Sequence, residues 1–424
     1  MHKSDITIKN LSKIEGHADL EVKIRDNQVK EVKFAITENK RFYTQALRNR
    51  PVIGLPQHVS RICGTCSIAH LMCAITAAEH TLGMIPSKQT KILRELAMYG
   101  LMIRDHALHL YIFSLPDEYQ VDSILELNKS HHDLIHDCFD MKAAGNHLAI
   151  LVAGRSVHAP YPTIGGFTHF PEKENIPKVI KELKSVRPIA LKLIKIFAES
   201  KATLIRKTSF VALSSEQFSF LEGPIKSSEG YEIKQEHYFQ HLHKVVIPYS
   251  EALGYEFEGK EYAVGALARL NLNKEHLNPK TQKDVASYLQ VFPSFNMYHN
   301  NLAQAIEILH CIDHAIELLQ ETLFKEEPIQ ELPEKDAEGV GVIEAPRGTL
   351  YYHVKIGKDG IVKKGNIIVP TQQNQINIRD DIRLMIQENM DKSKEWISLE
   401  CEKIIRAYDP CMSCASHFLK VKWT

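Results

Sequence analysis

Two Cys-x-x-Cys pairs lie near opposite ends of the chain, and they restrict the folds that it can adopt. Cys63 and Cys66 lie in RICGTCSIAH, whereas Cys411 and Cys414 lie in DPCMSCASH. Four thiolates can complete one metal site, but all four can bind there only if the fold brings the two ends of the chain together. Pro410 restricts the residue before it to extended or turn conformations, so we expect the second pair on a loop that follows a helix.

The spacing alone leaves several kinds of site open. A redox dithiol is expected at a strand-to-helix junction of a βαβ unit, but the turn-like PVIGLPQ precedes the first pair. A structural zinc site needs four thiolates, yet zinc ribbons usually close a loop of about 15 to 20 residues rather than nearly a whole chain. Thiolates also bind iron and nickel, so ligand type does not identify the metal.

The other cysteines are expected to be buried residues without a role in the site. Eight cysteines are too few for a disulfide scaffold in 424 residues. The remaining four lie in apolar or helical stretches, where cysteine behaves as a small apolar residue. They are Cys73, Cys138, Cys311 and Cys401.

Charge and hydropathy exclude some classes of partner. Lys plus Arg and Asp plus Glu number 52 each, so no overall positive field attracts nucleic acid. The start of the chain lacks a signal-peptide core, and no run of about 18 apolar residues occurs. We therefore expect a cytoplasmic protein with no membrane span and no nucleic-acid partner.

The residue pattern predicts a mainly α (α+β) fold, with a bundle of long helices and small antiparallel sheets. Alternating apolar residues over 18–36 and around 349–368 predict an N-terminal and a C-terminal hairpin, with turns at Asp26-Asn27 and Lys358-Asp359-Gly360. Apolar residues three and four apart predict helices over 91–113, 177–205 and 301–324.

No linker or repeat divides the chain, so we predict a single domain over 1–424. Its predicted parts are an N-terminal hairpin at 1–40, a helical body at 65–330, and a C-terminal hairpin with the metal loop at 338–417.

The residues around the cysteines resemble the large, catalytic subunit of nickel-iron hydrogenases. Arg61 to His70 match its RxCGxCxxxH signature, and Asp409 to His417 match DPCxxCxxH. Three further blocks agree in order: KIEGH at 13–17, EAPRGTLYYH at 344–353 and VPTQQN at 369–374. The chain most resembles the cytosolic sulfhydrogenase-type and other NAD(P)-coupled classes.

The resemblance implies a binuclear centre that cleaves H2 reversibly and heterolytically into protons and electrons. It implies that Cys63 and Cys411 are terminal ligands of nickel, and that Cys66 and Cys414 bridge nickel to iron. The iron would carry carbon monoxide and cyanide. Four thiolates and two cyanides leave excess negative charge in a buried place, so a nearby cation is expected.

The resemblance also implies roles for residues around the metals. Arg347 would lie over them, held by Asp105 and Asp409, and either Arg347 or Cys411 would accept the proton. Glu15 would pass protons outward from a buried position. The alternatives are a surface ion pair for Arg347, a helix-face charge and a turn residue for the two aspartates, and an exposed glutamate at the start of a strand.

Three histidines and one threonine complete these expectations. His417 would contact a magnesium-type ion, but Thr44 replaces the glutamate that usually supports Mg²⁺, so the ion would be absent, replaced, or held through water. His70, one helical turn after Cys66, either bonds to the sulfur of that cysteine or is a satisfied core histidine. No role is assigned to His109. The tail after His417 is either removed during maturation or kept.

The expected partner is an iron-sulfur small subunit, because only the two pairs have ligand spacing and the chain has no cysteine set for a cluster of its own. Further electron-transfer subunits of the NAD(P)/flavin diaphorase type are expected. Two alternative functions stay open: a hydrogen-sensing regulatory hydrogenase, and a structural zinc-binding subunit.

Overall fold

The computed structural model describes residues 3–39, 42–129 and 131–416, and long helices form its middle. The helices are α1 (Tyr43–Ala46), α2 (Leu55–Val59), α3 (Ser67–Leu82), α4 (Lys88–Leu108), α5 (Leu115–Glu118), α6 (His132–Ala153), α7 (Ile176–Ala198), α8 (Ala266–Asn273), α9 (Pro279–Asp284), α10 (His299–Glu321), α11 (Pro370–Glu388), α12 (Lys394–Ala407) and α13 (Met412–Ala415).

The strands are short and lie in several small sheets. They are β1 (Lys3–Ile8), β2 (Ala18–Arg25), β3 (Gln28–Ile36), β4 (Pro162–Thr163), β5 (Gly166–Phe167), β6 (Ser209–Leu213), β7 (Ile225–Ser227), β8 (Glu232–Ile233), β9 (Leu242–Val245), β10 (Gly254–Phe257), β11 (Tyr262–Ala263), β12 (Ala337–Ala345), β13 (Gly348–Ile356) and β14 (Val362–Ile368).

Both predicted hairpins are present, and each gains a third strand. β2 and β3 pair antiparallel around Asp26 and Asn27, whose φ angles of 51° and 54° fit a tight hairpin turn. β1 extends this sheet. β13 and β14 form the C-terminal hairpin, and β12 pairs with β13 up to Ala345 and Gly348. Arg347 therefore lies in the tight turn between two buried strands.

The three predicted helices are present, with two differences at their ends. α4 ends at Leu108 and continues as a π-helical turn over His109–Ser114. α7 ends at Ala198 rather than near residue 205. The chain beyond it is extended at Leu204 and Ile205, where the Leu204 N–H donates to Asn296 Oδ1 and Ile205 forms a β-bridge with Asn296. α4 packs against α6 and α10, and α7 also packs against α10.

The predicted helical body also contains β4 to β11, which the sequence pattern did not reveal. The fold class is nonetheless confirmed as mainly α with small, mostly antiparallel sheets. Gly145 allows α4 and α6 to cross closely, because it has no side chain. A Cβ at this position would lie 2.8 Å from the backbone nitrogen of Arg104. Within the described ranges, no helix combines the length and apolar character needed to cross a bilayer.

Candidate metal centre

The two cysteine pairs converge on one buried place. Their four sulfur atoms all lie within 4.8 Å of one another, and we call them the four-cysteine cluster. Cys63 Sγ is 3.4 Å from Cys411 Sγ, and Cys66 Sγ is 3.2 Å from Cys414 Sγ. Each contact joins residues from opposite ends of the chain. Among the described residues, this is the one set of three or more potential ligands that could share a metal ion.

Both pairs lie where a loop meets a helix. Cys63 follows a short 3-10 turn, and Cys66 precedes the first residue of α3. α12 ends at Ala407, as the proline after it predicted, and Cys411 precedes α13. The Cys411 N–H donates to Thr371 Oγ1 at 2.8 Å, so the start of α11 supports the second loop.

The N-terminal segment closes one side of the cluster. Glu15 forms a β-bridge with Cys411, and its carbonyl accepts from the Met412 N–H at 2.9 Å. Cys411 Sγ donates to Glu15 Oε2 at 3.0 Å, and the Ser413 N–H donates to the same oxygen at 3.1 Å. Glu15 is half-buried rather than buried as predicted, because the segment from Ser12 to His17 is partly or fully exposed along its whole length.

Gly16 makes this close approach possible. Its φ of +82° favours glycine, and a Cβ there would lie 2.8 Å from Met412 Cβ and 3.2 Å from the Ser413 nitrogen. We expect Gly16→Ala to lower the free energy of unfolding by about 1–3 kcal/mol and to reduce metal content, because the Cys411 loop must shift.

Gly259→Ala is the matched control for Gly16→Ala. Gly259 has a similar φ of +72°, but a Cβ there meets no atom within 4 Å. Thermal unfolding and metal analysis of both variants separate backbone strain from the clash at the cluster. Equal losses of metal in the two variants would contradict the expectation.

Arg347 is buried beside the cluster and pairs with two carboxylates. Its Nη1 donates to Asp105 Oδ2 at 2.7 Å, and its Nη2 lies 2.9 Å from Asp409 Oδ1. Burial disfavours the charged form, but Asp105 and then Asp409 outweigh it and raise the pKa of Arg347 well above its usual range. The predicted grouping of Arg347, Asp105 and Asp409 is therefore present, and the surface ion pair is not.

The cluster and its surroundings fit bound metals. Hydrogen bonds, first from Cys411, hold the pKa of Cys63 well below its usual range, whereas burial raises the pKa of Cys411 and Cys414. Four buried thiols this close cannot all ionise without compensating cations.

A small cavity of about 10 Å³ lies beside the thiols. It is lined by Cys66, Cys411, Cys414, Arg347 and a set of mainly apolar side chains. Arg347 Nε is buried and lacks a hydrogen-bond partner in the described structure. A donor without an acceptor next to a cavity indicates a place for an additional group.

Sequence reasoning missed two buried arginines that support the site. Arg104 donates to the carbonyl oxygens of Thr65 and Ser156 and so fixes the first cysteine loop. Arg269 donates to the carbonyls of Ala345 and Pro346 at 3.1 and 3.0 Å, which fixes the turn that carries Arg347. A carbonyl oxygen leaves no mark in the sequence, so neither contact could be found there.

The remaining predicted residues have mixed outcomes. His70 Nε2 contacts Cys414 Sγ at 3.4 Å, a cysteine from the other pair than the predicted Cys66, and His70 Nδ1 bonds to Tyr352 at 2.8 Å. Thr44 lies on α1. His417 lies outside the described residues. All four additional cysteines are buried, as predicted, and none belongs to the cluster.

Comparisons with known proteins agree with this geometry. The family model of nickel-dependent hydrogenases matches residues 41–179 and 216–417. The alpha subunit of sulfhydrogenase 1 of Pyrococcus furiosus is 32% identical, over 98% of this chain and 98% of its own length. The alpha subunit of sulfhydrogenase 2 of the same organism is also 32% identical, over 98% of this chain and 100% of its own.

Solved structures share the fold. An NAD+-reducing [NiFe]-hydrogenase in the H2-reduced state superposes with a TM-score of 0.85 at 24% identity, covering 98% of this chain and 99% of that one. The Ni-Fe-Se hydrogenase from Desulfovibrio vulgaris Hildenborough gives a TM-score of 0.81 at 21% identity, covering 98% and 100%.

Proposed function

Because this chain belongs to the nickel-dependent hydrogenase family, as a catalytic large subunit, we propose that its four-cysteine cluster holds a nickel-iron pair. The protein is an oxidoreductase that acts on H2. The matches favour neither a sensor nor a structural zinc protein. The observation that carries the proposal is the convergence of four sulfur atoms within 4.8 Å.

The two pairs of thiols are proposed to divide the ligand roles. Cys63 and Cys411 would be terminal on nickel, whereas Cys66 and Cys414 would bridge to iron. The match of both Cys-x-x-Cys pairs to the family supports this division. Carbon monoxide and cyanide would be the further ligands of the iron. When bound, the metals supply the Lewis acidity that polarises H2 and the redox capacity that takes up its electrons.

The chain itself would move the proton. Cys411 Sγ lies 3.0 Å from Glu15 Oε2, within reach of direct transfer. Arg347 is held as a cation by two carboxylates, so it is better suited to stabilise negative charge than to accept a proton. We therefore assign proton acceptance to Cys411 and onward transfer to Glu15, which is half-buried and can pass it outward.

Arg347→Lys is expected to lower the rate of H2 oxidation about 10- to 100-fold without loss of nickel. A lysine keeps the charge, but its ammonium group cannot bridge Asp105 and Asp409 as a planar guanidinium does. Hydrogen-dependent dye reduction and metal analysis test this.

Arg187→Lys is the matched control for Arg347→Lys. Arg187 also bridges two carboxylates, at 2.7 Å from Asp313 and 2.6 Å from Asp284, but it lies on α7 and contacts no residue of the site. An equal loss of activity in both variants would mean that Arg347 acts only through stability.

An iron-sulfur small subunit is proposed to dock at the first cysteine loop. Arg61 and Gly64 are exposed, while Cys63 beside them is only 2% exposed, so this loop brings the cluster close to the surface. The names of the relatives as alpha subunits support a partner. Further NAD(P)-linked subunits, a cytoplasmic location and a Mg²⁺ ion at His417 stay predictions.

Metal analysis and infrared spectroscopy of purified holo-protein test the proposal. We expect nickel and iron together with bands in the carbonyl and cyanide region, and H2-dependent dye reduction. Zinc alone, with no such bands, would contradict the proposal.

A further inference from the structure

A buried line of polar side chains leads away from Arg347 into the helices. Asp409, which pairs with Arg347, accepts from Gln304 Nε2 at 3.0 Å. Gln304 Oε1 then lies 2.5 Å from His109 Nδ1. All four side chains are buried, with exposures of 0 to 4%. His109 opens the π-helical turn, a feature that often occurs at functional sites.

The hydrogen at Nδ1 of His109 follows from the orientation of Gln304. The amide nitrogen of Gln304 faces Asp409, because a carboxylate accepts and cannot donate. Its carbonyl oxygen therefore faces His109 Nδ1. An amide oxygen only accepts, so a contact of 2.5 Å requires a hydrogen on Nδ1.

The other ring nitrogen needs a hydrogen as well. His109 Nε2 lies 2.8 Å from the backbone carbonyl oxygen of Arg406, which can only accept. Ser114 Oγ is farther away, at 3.2 Å. If its hydroxyl donated to an unprotonated Nε2, the Arg406 carbonyl oxygen would lie 2.8 Å from a nitrogen without a hydrogen, so Ser114 is assigned as a second, weaker acceptor. A neutral imidazole has one N–H, so two acceptors at its two nitrogens require the imidazolium form.

Other assignments of the atoms make the fit worse. Turning the Gln304 amide over would put two acceptor oxygens, of Gln304 and Asp409, 3.0 Å apart. Turning the His109 ring over would put carbon atoms opposite both oxygens and lose both hydrogen bonds.

Asp409 is the carboxylate that faces this ring, with its Oδ2 3.9 Å from His109 Nδ1. The carboxylates on the packed elements have other cationic partners. Asp105 pairs with Arg347, Glu307 with Arg269 and His106, Asp117 with Arg406 and Lys13, and Asp137 with Lys192.

We propose that His109 is a buried imidazolium that positions Asp409, through Gln304, and so holds Arg347 over the four-cysteine cluster. Charges then alternate from the thiolates through Arg347 and Asp409 to His109, and each polarises the next hydrogen bond. His109 is a positioning residue, because it touches neither the thiols nor a substrate. The charge of His109 is inferred from its hydrogen bonds alone. The effect of His109 on Arg347 rests in addition on the proposed function.

His310 provides an internal reference in the neutral state. It is equally buried on α10, but its Nδ1 accepts from the Asn278 N–H at 3.0 Å and is therefore unprotonated. Burial lowers the pKa of His310 to about 3. Two buried histidines of one protein are thus expected in different charge states.

Nitrogen NMR of holoenzyme labelled with nitrogen-15 histidine tests the charge. At about pH 8, we expect both His109 nitrogens to resonate as protonated. His310 should give one unprotonated nitrogen. Difference spectra of His109→Gln and His310→Gln identify the signals, and Gln304→Met should alter those of His109. A His109 ring with one unprotonated nitrogen overturns the proposal.

Infrared bands of the metal-bound diatomic ligands test the positioning role. We expect His109→Gln and Gln304→Met to shift these bands and to lower kcat about 10-fold or more at unchanged KM, whereas His310→Gln leaves both as in the wild type. Unshifted bands in both His109→Gln and Gln304→Met overturn the role, even if the NMR result stands. Bands missing from the wild type would instead contradict the proposed function.

Discussion

Cys414→Ser is expected to abolish nickel binding and H2 oxidation. Cys414 Sγ lies 2.9 Å from Cys411 Sγ and 3.2 Å from Cys66 Sγ, so it contacts both cysteine pairs. A serine hydroxyl is a harder ligand and stays protonated near neutral pH, so it cannot replace a thiolate ligand. Nickel and iron content should fall to background, and dye reduction should disappear with them.

Cys73→Ser is the matched control for Cys414→Ser. Cys73 is also fully buried, on the helix that follows the first cysteine pair, but its thiol donates to the carbonyls of Gly341 and Leu350. A hydroxyl can donate to the same oxygens, so metal content should be retained. Retained nickel in Cys414→Ser, or lost nickel in Cys73→Ser, would contradict a centre built on the four-cysteine cluster.

The hairpins and long helices could be predicted because their patterns are local. The two predicted turns are flanked by β2 and β3 and by β13 and β14, and α10 has the apolar spacing of a helix. β6 could not be predicted in this way. All five of its residues are buried, so it lacks the alternation of a half-exposed strand, and its neighbours β7 and β11 have only three and two residues.

The candidate site likewise contains residues that sequence motifs mark and residues that only the structure reveals. The cysteines, Arg347 and Glu15 were predicted because motifs mark them, and the structure brings them together. His109 received no role, since a histidine on an apolar helix is unremarkable until its partners are known. One hydrogen-bond partner of His109 is Gln304, which is 195 positions away in the chain, and the other is the backbone carbonyl of Arg406. The donor and acceptor roles of the His109 nitrogens can be assigned only when the fold shows which atoms lie next to them.

Glu15→Gln is expected to slow proton exchange about 10²- to 10⁴-fold while leaving nickel and iron in place. Glutamine has nearly the same size, and its amide oxygen can still accept from the Ser413 N–H. It cannot carry a proton away from Cys411, 3.0 Å distant. Formation of HD from D2 in ordinary water measures this transfer without requiring electrons to reach a partner. Glu15→Asp should keep a titratable group but lose the contact, so its rate should be intermediate.

Glu402→Gln distinguishes proton transfer by Glu15 from a general effect of its charge. Glu402 is also half-buried beside the N-terminal segment, but it bonds to Ser12 and Arg406 rather than to a thiol. If Glu15 relays protons, its substitution slows HD formation and that of Glu402 does not. Because both variants lose one carboxylate, equal slowing would assign the effect to electrostatics and remove Glu15 from the route. Normal exchange in Glu15→Gln would mean that protons leave the four-cysteine cluster by another path.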